Sequence, residues 1–286
     1  MDINKPGMLF LCATPIGNLS DISKRVLDTL EGADIIAAED TRNSIKLLNH
    51  FDIHTKMTSY HEYNKYDKAD ELIALMRSGQ NVALITDAGT PGISDPGQVL
   101  VKKCHEEGIR VTSLPGACAL ITALTMSGID TRRFVFEGFL PPDKKEREEV
   151  KQSLRDEVRT IIIYEAPHHL KKTIDELSDA FGEDRRAAFC RELTKKFEEV
   201  VHMTFGEAKE YYKEREPKGE YVIVIEGEEK QKAKDKDMDF WKEFTVAQHM
   251  DYYEKLGYDN KEAMKLTAKD RGVSKRDIYK EIIDNK

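Results

Sequence analysis

Apolar runs alternate with helical hydrophobic periods along most of the chain. Between the runs, apolar residues recur at spacings of three and four, as in Ala69, Leu72 and Met76. Such runs predict buried strands and such spacings predict amphipathic helices. Their alternation is typical of an α/β protein with largely parallel sheets. The predicted strands are Leu9–Ala13, Asp34–Ala37, Val82–Thr86, Arg110–Leu114, Phe134–Phe139, Thr160–Tyr164, Ala187–Arg191 and Tyr221–Glu226.

Two breaks interrupt this alternation. The turn "LPGA" at 114–117 ends one strand–helix series and opens another. The stretch 226–239 is polar and charged and lacks periodicity, which is the composition of a linker. Beyond it the pattern is helical, with breaks at Gly257 and Gly272. The predicted domains are therefore two α/β domains at 1–115 and 116–228, a charged linker at 229–239 and an all-α domain at 240–286.

The helical tail carries a helix-start signal and an uneven charge. Ser274 precedes Asp277 by three residues, the spacing of a capping box, so a final helix is expected to start at 273–274. A helix, a glycine-containing turn and a short capped helix are typical of a helix-turn-helix. The chain has a net charge of −8, yet residues 261–280 hold seven basic and three acidic side chains. This basic stretch is either a contact for nucleic acid or a solvated helix face.

Composition narrows the class of protein. A chain of 286 residues with 40% hydrophobic content has room for more than one domain. It has neither a membrane-length apolar stretch nor a basic segment before its first apolar run, so we expect a cytoplasmic protein. The four cysteines lack zinc-site spacing and stand among apolar or small neighbours. We expect them to be small buried side chains, and we expect no metal.

Four loops interrupt the pattern directly after predicted strands. The first, "CATPIGNLSD" at 12–21, has neither of the glycine signatures of nucleotide-binding loops. The others are "DAGTPGISDPG" at 87–97, "LPGACALITAL" at 114–124 and "YEAPHHL" at 164–170. Sheets of α/β proteins bind ligands at the carboxyl ends of their strands, and glycine lets a ligand approach the backbone closely. These loops therefore indicate a ligand that is gripped mainly by backbone groups and that need not carry phosphate.

The motifs also support a family resemblance. In chain order they are "TPIGNLSDI", "AAEDTR", "LITDAGTPGISDPG", "LPGACA", "YEAPHHL", "RELTKKFEE" and "KGEYVIVIEG". Over about residues 7–227 the chain closely resembles the ribosomal RNA small subunit methyltransferase I family, within the tetrapyrrole-methylase-like superfamily, and its tail resembles that family's helix-turn-helix domain. The resemblance implies two α/β/α domains with S-adenosylmethionine in the cleft between them, and a homodimer. It also implies methylation of the ribose 2′-oxygen of a cytidine in the decoding centre of 16S rRNA.

The same resemblance implies which residues contact the cofactor. Where tetrapyrrole methylases carry Gly-Asp-Pro, this chain has Gly89-Thr90-Pro91. The change from Asp to Thr removes a charge, so the donor is expected to be held there mostly by backbone. Cys118 is expected to form a pocket wall and not to act as a nucleophile, because the methyl group passes directly to oxygen. The implied cofactor contacts are Pro15, Ala88, Gly89, Thr90, Ile93, Cys118, Ala119, Glu165 and Leu193.

The acceptor side needs different chemistry. A ribose hydroxyl is a poor nucleophile, so it needs in-line placement and a group that takes its proton. Three polar clusters supply candidates, at 39–42, 61–64 and 191–196. We predict Asp40 or Lys195 as the proton-handling group and Arg42 or Arg191 as a phosphate or ribose contact, although the cluster 39–42 is equally typical of a helix cap with its salt bridge. Because the reaction needs a 2′-hydroxyl, the expected partner is RNA and not DNA.

Two other functions remain open at this point. The same fold could methylate a tetrapyrrole carbon or a diphthamide precursor, although Thr90 and the basic tail do not favour such an acceptor. A non-catalytic RNA-binding or assembly protein could also retain the cleft. The four intact loops do not favour this alternative.

Overall fold

The computed structural model describes residues 6–228, 241, 244–255 and 257–284. The chain divides into two compact units, Met1–Gly227 and Glu228–Lys286. Within the described ranges, no helix combines the length and apolarity that a membrane span requires.

The first half of the larger unit is built on a parallel sheet. Its five strands are β1 (Met8–Cys12), β2 (Ile35–Ala38), β3 (Met57–Ser59), β4 (Val82–Ile85) and β5 (Arg110–Leu114), in the order β3-β2-β4-β1-β5. The helices between them are α1 (Lys24–Gly32), α2 (Thr41–His50), α3 (Lys65–Arg77) and α4 (Gly97–Glu106). Strand residues alternate between two apolar clusters: Ile35 packs with Leu72 of α3, and Ile36 packs with Leu48 of α2. Helices therefore cover both faces of this sheet.

The second half is built on a mixed sheet. Its strands are β6 (Phe134–Phe139), β7 (Thr160–Glu165), β8 (Arg186–Arg191), β9 (Glu199–Thr204) and β10 (Tyr221–Ile225), in the order β6-β7-β10-β8-β9. Its helices are α5 (Ala119–Met126), α6 (Lys144–Leu154), α7 (Leu170–Phe181) and α8 (Phe205–Lys213). Ile163 packs with α7 and α8 on one face, and Ile162 packs with α5 on the other. The α/β fold is confirmed, with two sheets that are each covered on both faces.

The expectation of largely parallel sheets holds for the first sheet and is wrong for the second. Only β6 and β7 are parallel there, whereas β10 runs antiparallel to β7 and β8, and β8 runs antiparallel to β9. The connection from β8 to β9 spans only residues 192–198. A parallel crossover needs about a dozen residues or more, so this short connection forces an antiparallel pair.

All eight predicted strands are present, with ends shifted by no more than about two residues. The structure adds β3 and β9, which the apolar pattern did not predict. β3 has only three residues, none of them fully buried. β9 is an edge strand whose residues include Glu199 and His202, and only Met203 is buried. A short or half-exposed strand leaves too weak an apolar pattern to be recognised.

The smaller unit contains three helices, α9 (Val246–Lys255), α10 (Asn260–Asp270) and α11 (Lys275–Asp284). Gly257 and Gly272 lie in the turns between them with positive φ. Ser274 and Asp277 exchange the hydrogen bonds of the predicted capping box. Apolar side chains from all three helices form one small core. The predicted linker 229–239 lies outside the described residues, and the domain boundaries near 115 and 240 stay predictions.

Candidate functional site

The larger unit contains a cavity of about 500 Å³, within the usual range for small-molecule sites. Its wall is built mainly at the carboxyl ends of strands from both sheets, together with the amino end of β10, which runs antiparallel to β7 and β8. Ile16 follows β1, Glu39 follows β2, the segments 86–90 and 93–95 follow β4, and 118–119 follows β5. The second sheet contributes Phe139, the segments 164–167 and 220–222, and the loop residues Leu193 and Lys195. The four loops of the sequence pattern therefore meet at one place.

Most of the implied cofactor positions line this cavity. Pro15 does not, but its neighbour Ile16 does. That any of them contacts a cofactor stays a prediction. The eight that line it are Ala88, Gly89, Thr90, Ile93, Cys118, Ala119, Glu165 and Leu193.

Hydrogen bonds join the loops of the first half into one wall. Thr14 and Gly89 form an isolated antiparallel bridge. The Thr90 hydroxyl donates to the carbonyl of Ala117 at 3.0 Å, which joins the 87–97 loop to the 114–124 loop. The N–H groups of Ala88 and Thr90 donate to no protein acceptor in the described ranges. Backbone donors of this kind are usually satisfied by water or a ligand.

A short turn holds the rest of the 87–97 loop. The Asp95 carboxylate accepts from the N–H groups of Gly92 at 2.8 Å and of Gly97 at 2.7 Å. It also accepts from the N–H of Ile93 at 3.1 Å. This carboxylate replaces the backbone acceptors that the turn lacks. Asp95 therefore orders the loop that carries the predicted donor contacts.

The loop after β8 is locked against the first loop. Glu192 and Thr194 have φ of +50° and +63°, which is uncommon for residues other than glycine. Thr194 Oγ1 accepts from the N–H of Asn18 at 3.1 Å. A Cβ atom at Gly17 would lie only 2.4 Å from the Cγ of Lys195, so this close approach requires glycine. The packing of the two loops thus maintains a strained backbone that brings Leu193 and Lys195 to the cavity.

Lys195 lines the cavity as a charged side chain. Its Nζ lies 2.8 Å from Glu192 Oε1 and 2.9 Å from Glu220 Oε2. Desolvation lowers the pKa of Lys195, but the two carboxylates outweigh it and leave that pKa above its ordinary value. In this arrangement the ammonium group is protonated and donates hydrogen bonds. The predicted part of Lys195 in proton handling stays a prediction, and the geometry favours a role as a fixed positive charge.

Asp40 and Arg42 form a helix cap and a salt bridge, the alternative to a role in the reaction that the sequence analysis gave for this cluster. The Asp40 carboxylate accepts from the Arg42 N–H at 2.8 Å, and Arg42 Nη2 reaches the other oxygen at 2.6 Å. These bonds lower the pKa of Asp40 to about 2. The Arg42 side chain is 87% exposed, and neither residue lines the cavity. Their role in the reaction stays a prediction.

Arg191 also lies outside the cavity wall. Its Nη2 lies 3.1 Å from Glu199 Oε2, and its buried Nε has no hydrogen-bond partner in the described ranges. The remaining predicted cluster, 61–64, forms the turn before α3, where Asn64 Oδ1 accepts from the His61 N–H at 2.8 Å. A role of Arg191 at the acceptor stays a prediction.

Glu165 lines the cavity but is only 4% exposed. Its carboxylate accepts from the Ala166 N–H at 2.8 Å and from the Thr173 hydroxyl at 2.5 Å. This carboxylate therefore fastens the end of β7 to α7. Because the Glu165 carboxylate is already hydrogen-bonded, a ligand at this position meets the backbone of the 164–167 segment more readily than a free carboxylate.

The structure adds two residues that were not singled out from the sequence. Glu39 stands next to Asp40 but lines the cavity, and burial, together with the charge of Asp87, raises its pKa. Phe139 places an exposed ring in the wall. The cluster at 39–42 pointed to Glu39, whereas nothing in the local pattern distinguished Phe139. Among the described residues, no three His, Cys, Asp or Glu side chains are grouped as a metal site would require.

Comparisons with known proteins agree with this architecture. The family described as Tetrapyrrole (Corrin/Porphyrin) Methylases matches residues 8–209. The Ribosomal RNA small subunit methyltransferase I of Halalkalibacterium halodurans is 47% identical over 273 residues, which cover 96% of this chain and 93% of the relative. The chain belongs to the ribosomal RNA small subunit methyltransferase I family. This methyltransferase family also accounts for the order of the motifs, and the resemblance is confirmed.

Solved structures share the fold of this family member at low sequence identity. A diphthine synthase matches with a TM-score of 0.60 at 14% identity, covering 77% of this chain and 90% of the other. A uroporphyrin-III C-methyltransferase from Thermus thermophilus, solved with S-adenosyl homocysteine, matches with a TM-score of 0.53 at 17% identity, covering 76% and 92%. At such identities the match concerns the fold alone, which is the tetrapyrrole-methylase fold.

Proposed function

We propose that this protein transfers the methyl group of S-adenosylmethionine to the ribose 2′-hydroxyl of a cytidine in the decoding centre of 16S rRNA. The name of the relative from Halalkalibacterium halodurans supports ribosomal RNA of the small subunit as the acceptor. The choice of cytidine and of the 2′-oxygen rests on the family resemblance of the motifs. The observation that carries the proposal is the meeting of eight implied donor positions, from separate segments of the chain, in one cavity.

The cavity suits this donor in size and charge. S-adenosylmethionine carries a positive sulfonium and no phosphate. Glu39, Asp87 and Glu220 line the wall beside the single cation Lys195, so the described wall favours a cationic ligand over a polyphosphate. The N–H groups of Ala88 and Thr90 can donate to its polar atoms. When bound, the donor supplies an electrophilic methyl group.

We assign Glu39 as the general base that accepts the proton of the 2′-hydroxyl. This side chain is half-buried in the cavity wall, and its raised pKa makes it a better base than an ordinary carboxylate. Asp40 is held by Arg42 with a pKa of about 2, and is a correspondingly weak base. Lys195 is already protonated. A homodimer and a cytoplasmic location accompany this proposal as predictions.

Labelled transfer with nucleotide mapping tests the proposal. The protein is incubated with methyl-labelled S-adenosylmethionine and small ribosomal subunits from a strain that lacks this methyltransferase. The labelled position is mapped by its resistance to alkaline cleavage, because that cleavage uses the 2′-oxygen as nucleophile. Label on a resistant cytidine is expected. Label on a base, or transfer to a porphyrinogen and none to subunits, contradicts the proposal.

A further inference from the structure

The aromatic ring of Phe139 forms an unusual part of the cavity wall. Phe139 ends β6, an edge strand of the second sheet, and it is 56% exposed although it lines a concave site. Leu193, in the same wall, is buried. An aromatic face left open inside a cavity is available to a planar ligand.

Two irregular backbone segments place this ring. The pairing of β6 with β7 shifts register between Phe136 and Gly138, where Gly138 has a φ of +73°. A Cβ atom at Gly138 would lie 3.1 Å from Ser94 Oγ, and Ser94 itself has a φ of +61°. A bulge of this kind redirects the next side chain. The close approach of β6 to the 87–97 loop therefore fixes where Phe139 points.

A second aromatic ring supports Phe139. Phe139 and Tyr164 have centroids 5.6 Å apart and planes inclined at 67°, an edge-to-face contact. Tyr164 is held in turn by Phe136 at 4.9 Å and by the Leu120 N–H, which donates to its hydroxyl at 3.1 Å. Tyr164 is thus held on several sides, while much of the Phe139 ring stays exposed.

The size and charge of the cavity restrict what part of an RNA can enter it. With the donor occupying part of the cavity of about 500 Å³, the remaining space admits one base and not a helix. The carboxylates of Glu39, Asp87 and Glu220 in the wall repel phosphates, so the uncharged base is the part best suited to lie inside. Single nucleotides that leave a stack are commonly held by stacking on aromatic side chains.

We infer that Phe139 is a base-binding residue, on which the nucleobase of the acceptor nucleotide stacks so that its ribose faces the donor. The inference rests on the proposed function, because it names the contact that positions the RNA. Phe139 is not among the positions that the family resemblance assigns to the donor. It is 56% exposed, so a large substrate can reach it from solvent.

The test compares Phe139→Ala, Phe139→Tyr and Phe139→Leu with the wild type. Methyl transfer is measured with labelled donor and small subunits from a strain lacking this methyltransferase, and donor-site affinity is measured by calorimetry with S-adenosylhomocysteine. Loss of the ring is expected to lower kcat/KM for subunits by about tenfold, as for loss of one base–aromatic stack. Tyr keeps the ring and is expected to restore the rate. Affinity for S-adenosylhomocysteine is expected to stay within about twofold.

Phe134→Ala is the matched control. Phe134 lies on the same strand, is 38% exposed and is absent from the cavity wall, so its loss is expected to leave kcat/KM unchanged. Phe139→Leu keeps apolar bulk beside Tyr164 and replaces the Ala variant if that one does not fold. Wild-type kcat/KM in a folded Phe139→Leu variant, or lost affinity for S-adenosylhomocysteine, overturns the inference. A wild-type protein that methylates no subunits instead overturns the proposed function.

Discussion

Thr14 and Gly89 exchange both of their backbone hydrogen bonds, with N···O distances of 2.9 Å and 3.1 Å. The Thr14 hydroxyl also donates to the Thr86 carbonyl at 3.2 Å. Gly89 has a φ of +84° in this bridge, a conformation that side chains disfavour. The bridge joins the loop after β1 to the loop after β4, so the shape of the cavity depends on it.

Gly89→Val is expected to weaken binding of S-adenosylmethionine by at least about tenfold, or about 1.4 kcal/mol. The added Cβ would lie 3.3 Å from the Ile16 side chain, and the branched methyl groups would occupy the cavity wall. Calorimetric titration with S-adenosylhomocysteine measures the change.

Gly92→Val separates lost binding from backbone strain. Gly92 has a similar φ of +89°, but a Cβ there meets no atom within 4 Å and the residue does not line the cavity. Both variants are expected to lose similar stability in thermal unfolding, while only the Gly89 variant loses affinity. Equal dissociation constants for the two variants would remove the Gly89 backbone from the donor site.

Asp40→Asn and Lys195→Met are each expected to lower turnover and to leave donor affinity within about threefold, as for groups that serve the acceptor. Asn can still cap α2, but it no longer neutralises Arg42. Met removes the cation between Glu192 and Glu220. Steady-state methylation of subunits gives kcat, and calorimetry gives the affinity. Wild-type kcat in both variants would exclude both side chains from the acceptor side of the reaction.

Glu39→Gln is expected to lower kcat by about a hundredfold, the lower end of the effect of a general base. Gln keeps the size and polarity of the side chain but cannot accept the proton. In the wild type, kcat is expected to fall as the pH is lowered through the raised pKa of Glu39. This fall in kcat is expected to be absent from the pH profile of the variant. Glu31→Gln, an exposed substitution on α1, is the control. An unchanged pH profile in Glu39→Gln assigns the base elsewhere.

The same substitution is expected to raise stability at neutral pH. Burial and Asp87 raise the pKa of Glu39 in the folded state above its ordinary value of 4.5, so the folded protein disfavours the ionised form. This penalty is absent below the unfolded-state pKa and grows as the pH rises through the folded-state pKa. The wild-type free energy of unfolding should therefore decline over that window relative to Glu39→Gln. Urea unfolding of both proteins at several pH values measures the difference, and parallel curves contradict it.

The basic side chains of α11 are expected to contribute to docking on the ribosomal subunit. Lys275, Arg276 and Lys280 are exposed, and replacing them with Gln is expected to weaken subunit binding. The dependence of affinity on salt should become shallower, since fewer counterions are released. Deleting 232–286 is expected to enlarge both effects and to leave affinity for S-adenosylhomocysteine unchanged, because every residue of the cavity wall is retained.

A control for this prediction removes positive charge elsewhere. Lys144 and Lys145 are exposed on α6, and their replacement with Gln is expected to leave the salt slope unchanged. If the tail variants bind subunits with wild-type affinity and slope, the tail does not dock RNA. If the truncated protein fails to fold, the tail is instead a stabilising element.

Much of the fold and of the cavity could be predicted from local sequence. Apolar runs define strands wherever burial on both faces is complete, as in β4 and β10, whose residues are all buried. Glycine and proline mark the loops because they alter backbone freedom at their own positions. The first three loops follow parallel strands of one sheet, so their meeting at one sheet edge follows from the fold class. The fourth loop follows β7 of the second sheet, and only the tertiary structure brings it to the same cavity.

Only the tertiary structure decided which polar side chains reach the cavity. Glu39 and Asp40 are adjacent, yet only Glu39 lines the wall, because successive side chains at a strand end point to opposite sides. The pairing of Lys195 with Glu220 joins two loops, and together with Glu192 it keeps the pKa of the lysine above its ordinary value. The position of Phe139 depends on a bulge packed against Ser94. Such contacts depend on which strands are neighbours, and an apolar pattern carries no information about that pairing.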